Sequence, residues 1–78
     1  MTNKRELSVM HQHEQQGWKS VRCGAPDWLF FKAKDNQITD IKFVEVKSPV
    51  DKLSTEQLIW KKVLQEVLKC KYEVVIEE

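Results

Sequence analysis

A glutamate and a lysine stand two residues apart at the end of the strongest strand pattern in the chain, where Ile41, Phe43, Glu45 and Lys47 alternate with Lys42, Val44 and Val46. Alternate side chains of a strand share a face. Glu45 and Lys47 therefore continue the face that Ile41 and Phe43 begin, and point where core side chains belong. Charge in that position needs compensation, because an unpaired buried charge is very unfavourable. Asp27, directly after Pro26, opens the preceding aromatic run Asp27-Trp28-Leu29-Phe30-Phe31-Lys32. Paired as a hairpin, the two runs bring the start of one to the end of the other, so Asp27 approaches Glu45 and Lys47. Two adjacent carboxylates repel, and a hard divalent cation relieves that repulsion. Oxygen ligation with several retained waters suits Mg²⁺ or Mn²⁺ rather than zinc, and the backbone carbonyl of Val46 is a further oxygen ligand. Lys47 beside such an ion positions or deprotonates a water and stabilises charge on a phosphate. The chemistry implied is metal-assisted hydrolysis of a phosphodiester. The bare Glu-x-Lys spacing also fits a solvated edge-strand ion pair, worth about 0–1 kcal/mol; Pro26-Asp27, one hairpin away, favours the site.

The elements that must position these residues follow from local pattern. Residues 3–16 lack Gly and Pro and predict a helix, with Gly17 as its C-terminal cap. Trp18 to Arg22 reads as a short strand, broken by Gly24-Ala25-Pro26. The aromatic strand from Asp27 to Lys32 comes next, then a hairpin loop over residues 34–37, then the strand Ile38 to Lys47, which Pro49 stops. Ser54-Thr55-Glu56-Gln57 is a capping box opening a helix to about Lys69. The stripe expected to be buried on that helix is Ile59, Trp60, Val63, Leu64 and Val67, with Leu58 and Leu68 outside it. Lys71 to Ile76 closes the chain as a β-branched strand. The order α-β-β-β-α-β predicts an α/β fold with a mixed sheet.

Composition narrows the classes. Seventy-eight residues suit one domain, 1–78, and a core of this size is marginal without a metal, disulfides or a second copy. Thirteen Lys and Arg against 12 Asp and Glu give a net charge of +1, which speaks against a simple basic module held to DNA by bulk charge. The longest apolar stretch, Trp28 to Phe31, is far short of the ~20 residues of a membrane-spanning helix, and no apolar segment follows Met1 to Glu6 as in a signal peptide. The expectation is a cytoplasmic protein with no membrane partner, and Cys23 and Cys70 as free thiols. His11 and His13 are two apart, on nearly opposite sides of a helix, so one ion cannot take both; they are expected at the surface.

Taken together, Gly24-Ala25-Pro26-Asp27, Phe43-Val44-Glu45-Val46-Lys47-Ser48-Pro49, Leu53-Ser54-Thr55-Glu56-Gln57 and the final strand Lys71 to Ile76 resemble the PD-(D/E)xK nuclease signature. The closer likeness is to its small VRR-NUC branch, from about Glu6 onward. That resemblance implies a restriction-endonuclease-like core, a mixed central sheet flanked by helices. It implies Asp27 and Glu45 as metal ligands, Lys47 as the catalytic lysine, and Gln57 as a polar residue near the metal or the phosphate. Gln57 equally suits the capping box, and the two roles are compatible. Related nucleases add a glutamate from the first helix. Glu6, eleven residues before Gly17, matches the pattern of archaeal Holliday-junction resolvases, with Glu14 as the competitor.

The function implied is a Mg²⁺- or Mn²⁺-dependent endodeoxyribonuclease of branched DNA. Small standalone members resemble phage and bacterial enzymes that act as homodimers on four-way junctions in repair and recombination, in a bacterial or phage-infected cell. A two-fold dimer supplies two symmetric cuts. The alternative is a non-catalytic or flap-specific nucleic-acid-binding module that keeps the nuclease fold. A sequence-specific restriction enzyme is disfavoured, because the length leaves little space for recognition loops.

Overall fold

The computed structural model describes residues 3–24 and 26–77; Met1, Thr2, Glu78 and Ala25 of the expected Gly-Ala-Pro-Asp turn lie outside the described residues. Helix α1 spans Lys4–Gln15. Its start is fixed by a reciprocal pair: the Asn3 side chain accepts from the Glu6 backbone N–H at 2.9 Å, and the Glu6 carboxyl accepts from the Asn3 N–H at 3.1 Å. Gly17, at φ 91°, takes the left-handed conformation that closes the helix. Strands β1 (Lys19–Arg22), β2 (Trp28–Lys34) and β3 (Gln37–Lys47) follow as an antiparallel meander. Asp35 and Asn36, at φ 53° and 64°, form the two-residue turn between β2 and β3, and positive φ at both central positions matches the twist of a tight hairpin. Helix α2 (Thr55–Lys62) crosses over to β4 (Lys71–Ile76), which lies parallel to β3. The sheet order β1-β2-β3-β4 is thus mixed, as expected.

The hairpin is not perfectly regular. Lys34 pairs with Gln37 and Ala33 with Ile38, but Lys32 pairs with Asp40, leaving Thr39 as an extra residue in β3. Its hydroxyl donates to the Lys32 carbonyl at 3.3 Å. Beyond this bulge the register is constant through Trp28 opposite Val44.

The core lies on the face covered by α1, where Val9 packs on Trp28, Phe30 and Val44; this is the opposite face of β3 from the expected one, since Val44 is fully buried while Ile41 and Phe43 are half-buried. Met10, Trp18, Val46 and Val75 pack around them. The Trp28 indole N–H donates to the Glu6 carbonyl at 3.1 Å, pinning the first turn of α1 onto the sheet. His13 is buried, not at the surface as expected: its ring stacks on Phe30 at 4.0 Å between centroids, and Nδ1 lies 2.8 Å from the Val9 carbonyl. His11 is exposed.

The second helix departs from expectation. Ser54 and Gln57 form the predicted capping box, with Ser54 N–H donating to Gln57 Oε1 at 2.8 Å. The regular helix ends at Lys62, however, and Val63–Val67 winds as a wider π-helical turn. Of the stripe expected to be buried, only Leu64 is; Ile59 and Trp60 are exposed, and Val67 is 71% exposed. The wide turn breaks the expected 3.6-residue phase for Val67; Ile59 and Trp60 precede it in the regular helix and remain exposed there. Trp60 is therefore not the packing residue that its spacing indicated. No helix among the described residues is long and apolar enough to cross a membrane.

Candidate active site

The constant register past the bulge, extended one residue beyond Trp28–Val44, sets Asp27 opposite Glu45. Both are buried, Glu45 with only 1% of its surface exposed. The Asp27 carboxyl accepts from the Val46 backbone N–H at 2.8 Å, which ties the start of β2 to the end of β3. Burial pushes the Asp27 carboxyl above the usual carboxylate range, with the neighbouring Glu45 adding to the rise and the Val46 N–H opposing it. Glu45 keeps one oxygen, Oε1, buried with no hydrogen-bond partner among the described residues. Two buried carboxyl groups set opposite one another are the arrangement a cation relieves.

Lys47 lies two residues beyond Glu45 on the same strand face, half-buried. Gln57 is half-buried and has its side-chain oxygen engaged in the helix cap. Glu6, from the first turn of α1, is buried beside Asp27; burial and then the Asp27 carboxyl raise its pKa. Its oxygens are engaged by the Asn3 N–H and by Arg22 at 3.1 Å. Glu14 is exposed and pairs with His11 at 3.5 Å, apart from this cluster. No three acidic, histidine or cysteine side chains converge on one point at ligand distance among the described residues. The donor set that fits a cation is therefore the pair Asp27 and Glu45, all oxygen, which suits a hard ion that retains several waters.

Two residues at this site were not singled out by sequence. Arg22 donates to the Asp27 carbonyl at 2.6 Å, sits 3.5 Å from the Asp27 carboxyl and bonds Glu6, bridging the two acids while lying over the Trp28 ring. Its signal was the β1–β2 pairing, which sets Arg22 opposite Trp28. Tyr72 stands beside Phe43 on β4 with its hydroxyl buried and unpartnered among the described residues. Burial, then Glu45 and Asp27, push its pKa up to about 12. It is the one aromatic residue in the closing strand, and that was the available clue.

Residues 2–76 match the VRR-NUC domain family. The chain belongs to the VRR-NUC family. This is a nuclease-type family of the PD-(D/E)xK kind, so the domain is a nucleic-acid-processing one and its sheet with flanking helices is a restriction-endonuclease-like core. No curated protein and no solved structure matches the chain significantly. The VRR-NUC match runs through α1, the whole sheet and the second helix, so it includes Asp27, Glu45, Lys47 and Gln57.

Proposed function

We propose that this VRR-NUC domain is a Mg²⁺- or Mn²⁺-dependent endonuclease that hydrolyses phosphodiesters in branched DNA, four-way junctions foremost, as a homodimer. The observation that carries the reading is the buried Asp27–Glu45 pair with Lys47 on the same strand, in a chain of a nuclease-type family. PD-(D/E)xK-type nuclease domains generally use divalent metals. Asp27 and Glu45 would hold the cation, with the Val46 carbonyl as a further oxygen donor; Glu6 would join them only by giving up its bonds to Arg22 or the Asn3 N–H. The ion supplies Lewis-acid stabilisation of charge on the attacked phosphate. Lys47 contributes an ammonium near that charge and orients the attacking water. Arg22 holds Asp27 and Glu6 in place from the side, and Gln57 offers its amide N–H₂ while its oxygen caps α2.

With the acids of the site committed to a cation, the remaining surface is net basic, which favours DNA. The dimer reading draws on the apolar surface of the second helix, where Leu58 is 45% and Leu68 60% exposed. Cleavage of labelled duplex, flap and four-way-junction DNA with Mg²⁺ or Mn²⁺ tests the proposal. Wild type should cut junctions, and Asp27→Ala or Lys47→Ala should lower the rate by about 10²–10³-fold, as for loss of one electrostatic stabiliser. Binding without cutting by the wild type leaves the non-catalytic module as the reading; cutting of flaps with junctions spared removes the resolvase.

A further inference from the structure

The registers bring Tyr72 and Glu45 onto one face of the sheet. Phe43 is beside Tyr72 and Glu45 beside Val74 on the parallel strand β4, so the two are diagonal neighbours. Such neighbours stand about 7–8 Å apart at Cα, within reach of aromatic and long side chains. The Tyr72 hydroxyl and Glu45 Oε1 are the two buried side-chain polar atoms lacking a hydrogen-bond partner among the described residues. Each buried polar atom without a partner calls for an explanation, and these two share one face of the sheet. One is a hydroxyl donor in search of an acceptor, and the other is a carboxyl oxygen in search of a donor. We propose that Tyr72 is a positioning residue for Glu45, its phenol O–H donating to a single water that in turn donates to Oε1. One bridge satisfies both groups and fixes the Glu45 rotamer, leaving its other oxygen turned toward Asp27 and the cation. A neutral phenol performs this role without adding a positive charge that would compete with the cation.

The role rests on the nuclease reading for its consequence, but not for its geometry. Tyr72→Phe keeps the ring and removes only the hydroxyl. Loss of such an outer partner weakens metal affinity or activity by about 10-fold or more. The expected result for the Tyr72→Phe chain is Mn²⁺ binding, by calorimetry, about 10-fold weaker, a lower kcat on junction DNA and an unchanged KM. In metal-free protein, Tyr72→Phe and Glu45→Gln should be non-additive by about threefold or more in the unfolding equilibrium, the signature of groups that share a partner. Additivity in that cycle, or Mn²⁺ affinity unchanged in Tyr72→Phe, overturns the assignment. A wild type that takes up no Mn²⁺ overturns the nuclease reading instead, and the metal-free cycle alone then decides whether Tyr72 acts on Glu45.

Discussion

The side of the sheet under α1 and the region of the second helix are built from similar amounts of apolar sequence and end in opposite states. Under α1, Val9, Phe30 and Val44 are fully buried and Trp28 nearly so, and even a histidine is enclosed by stacking on Phe30. On the second helix, Leu58, Ile59, Trp60, Val67 and Leu68 all remain exposed, and no residue of α2 itself is buried. The difference lies in how each helix is fastened. Helix α1 is tied at its first turn by the Trp28 indole and by Arg22 holding Glu6, whereas the second helix is anchored through Leu64 in its wide last turn. Burial is concentrated on one side, and the other side leaves its apolar side chains exposed.

Substitution on the closed side gives the sharpest contrast. Phe30→Ala should lower unfolding free energy by about 3–5 kcal/mol, the range for truncating a buried aromatic, while Ile59→Ala should stay within about 0.5 kcal/mol. Denaturant unfolding of both variants checks this, and equal losses would erase the distinction between the regions.

A smaller effect comes from the acids at the boundary. The Asp27 and Glu6 pKa values are raised in the folded protein, so between the unfolded and folded values the native state binds more protons. Their contribution is fully present below the unfolded pKa and is lost as pH rises through the folded pKa. Metal-free protein should therefore lose part of its stability as pH rises above the usual carboxylate range. Asp27→Asn, which can still accept from the Val46 N–H, should flatten that dependence and raise the neutral-pH melting temperature. A pH profile parallel to wild type would show that the site stores no such cost.

The least change in folding is expected from Leu58→Glu, within about 0.5 kcal/mol for the isolated subunit. Its readout is size: light scattering should give half the wild-type mass, with weaker junction cleavage. An unchanged mass removes Leu58 from the subunit interface.

Much of this contrast could be read from the sequence where the signal was local. Asp35-Asn36 announced the hairpin, Ser54 and Gln57 the helix cap, and the alternation from Ile41 to Lys47 the face that carries Glu45. What depended on distant packing was out of reach. Burial of His13 requires Phe30 from another element, and the bridging position of Arg22 requires two strands and a helix together. The exposed face of the second helix departs from its spacing for two reasons: Val63–Val67 changes winding without any Gly or Pro to mark it, and burial of Ile59 and Trp60 needs a covering element that local spacing does not reveal.

Thr39 has a consequence far from its own position. From the turn outward, the pairs Lys34–Gln37 and Ala33–Ile38 count residues one for one; past Thr39 the count on β3 runs one ahead, as in Lys32–Asp40. Without that extra residue the same turn would set Asp27 across from Val44 and leave Glu45 facing the chain beyond it. Parity does the rest, since a slip of one residue sends every side chain of a strand to the opposite side. An exposed threonine near the tip thus acts as a spacer in a length code, and the meeting of two acids at the far end of the hairpin is decided by counting rather than by attraction.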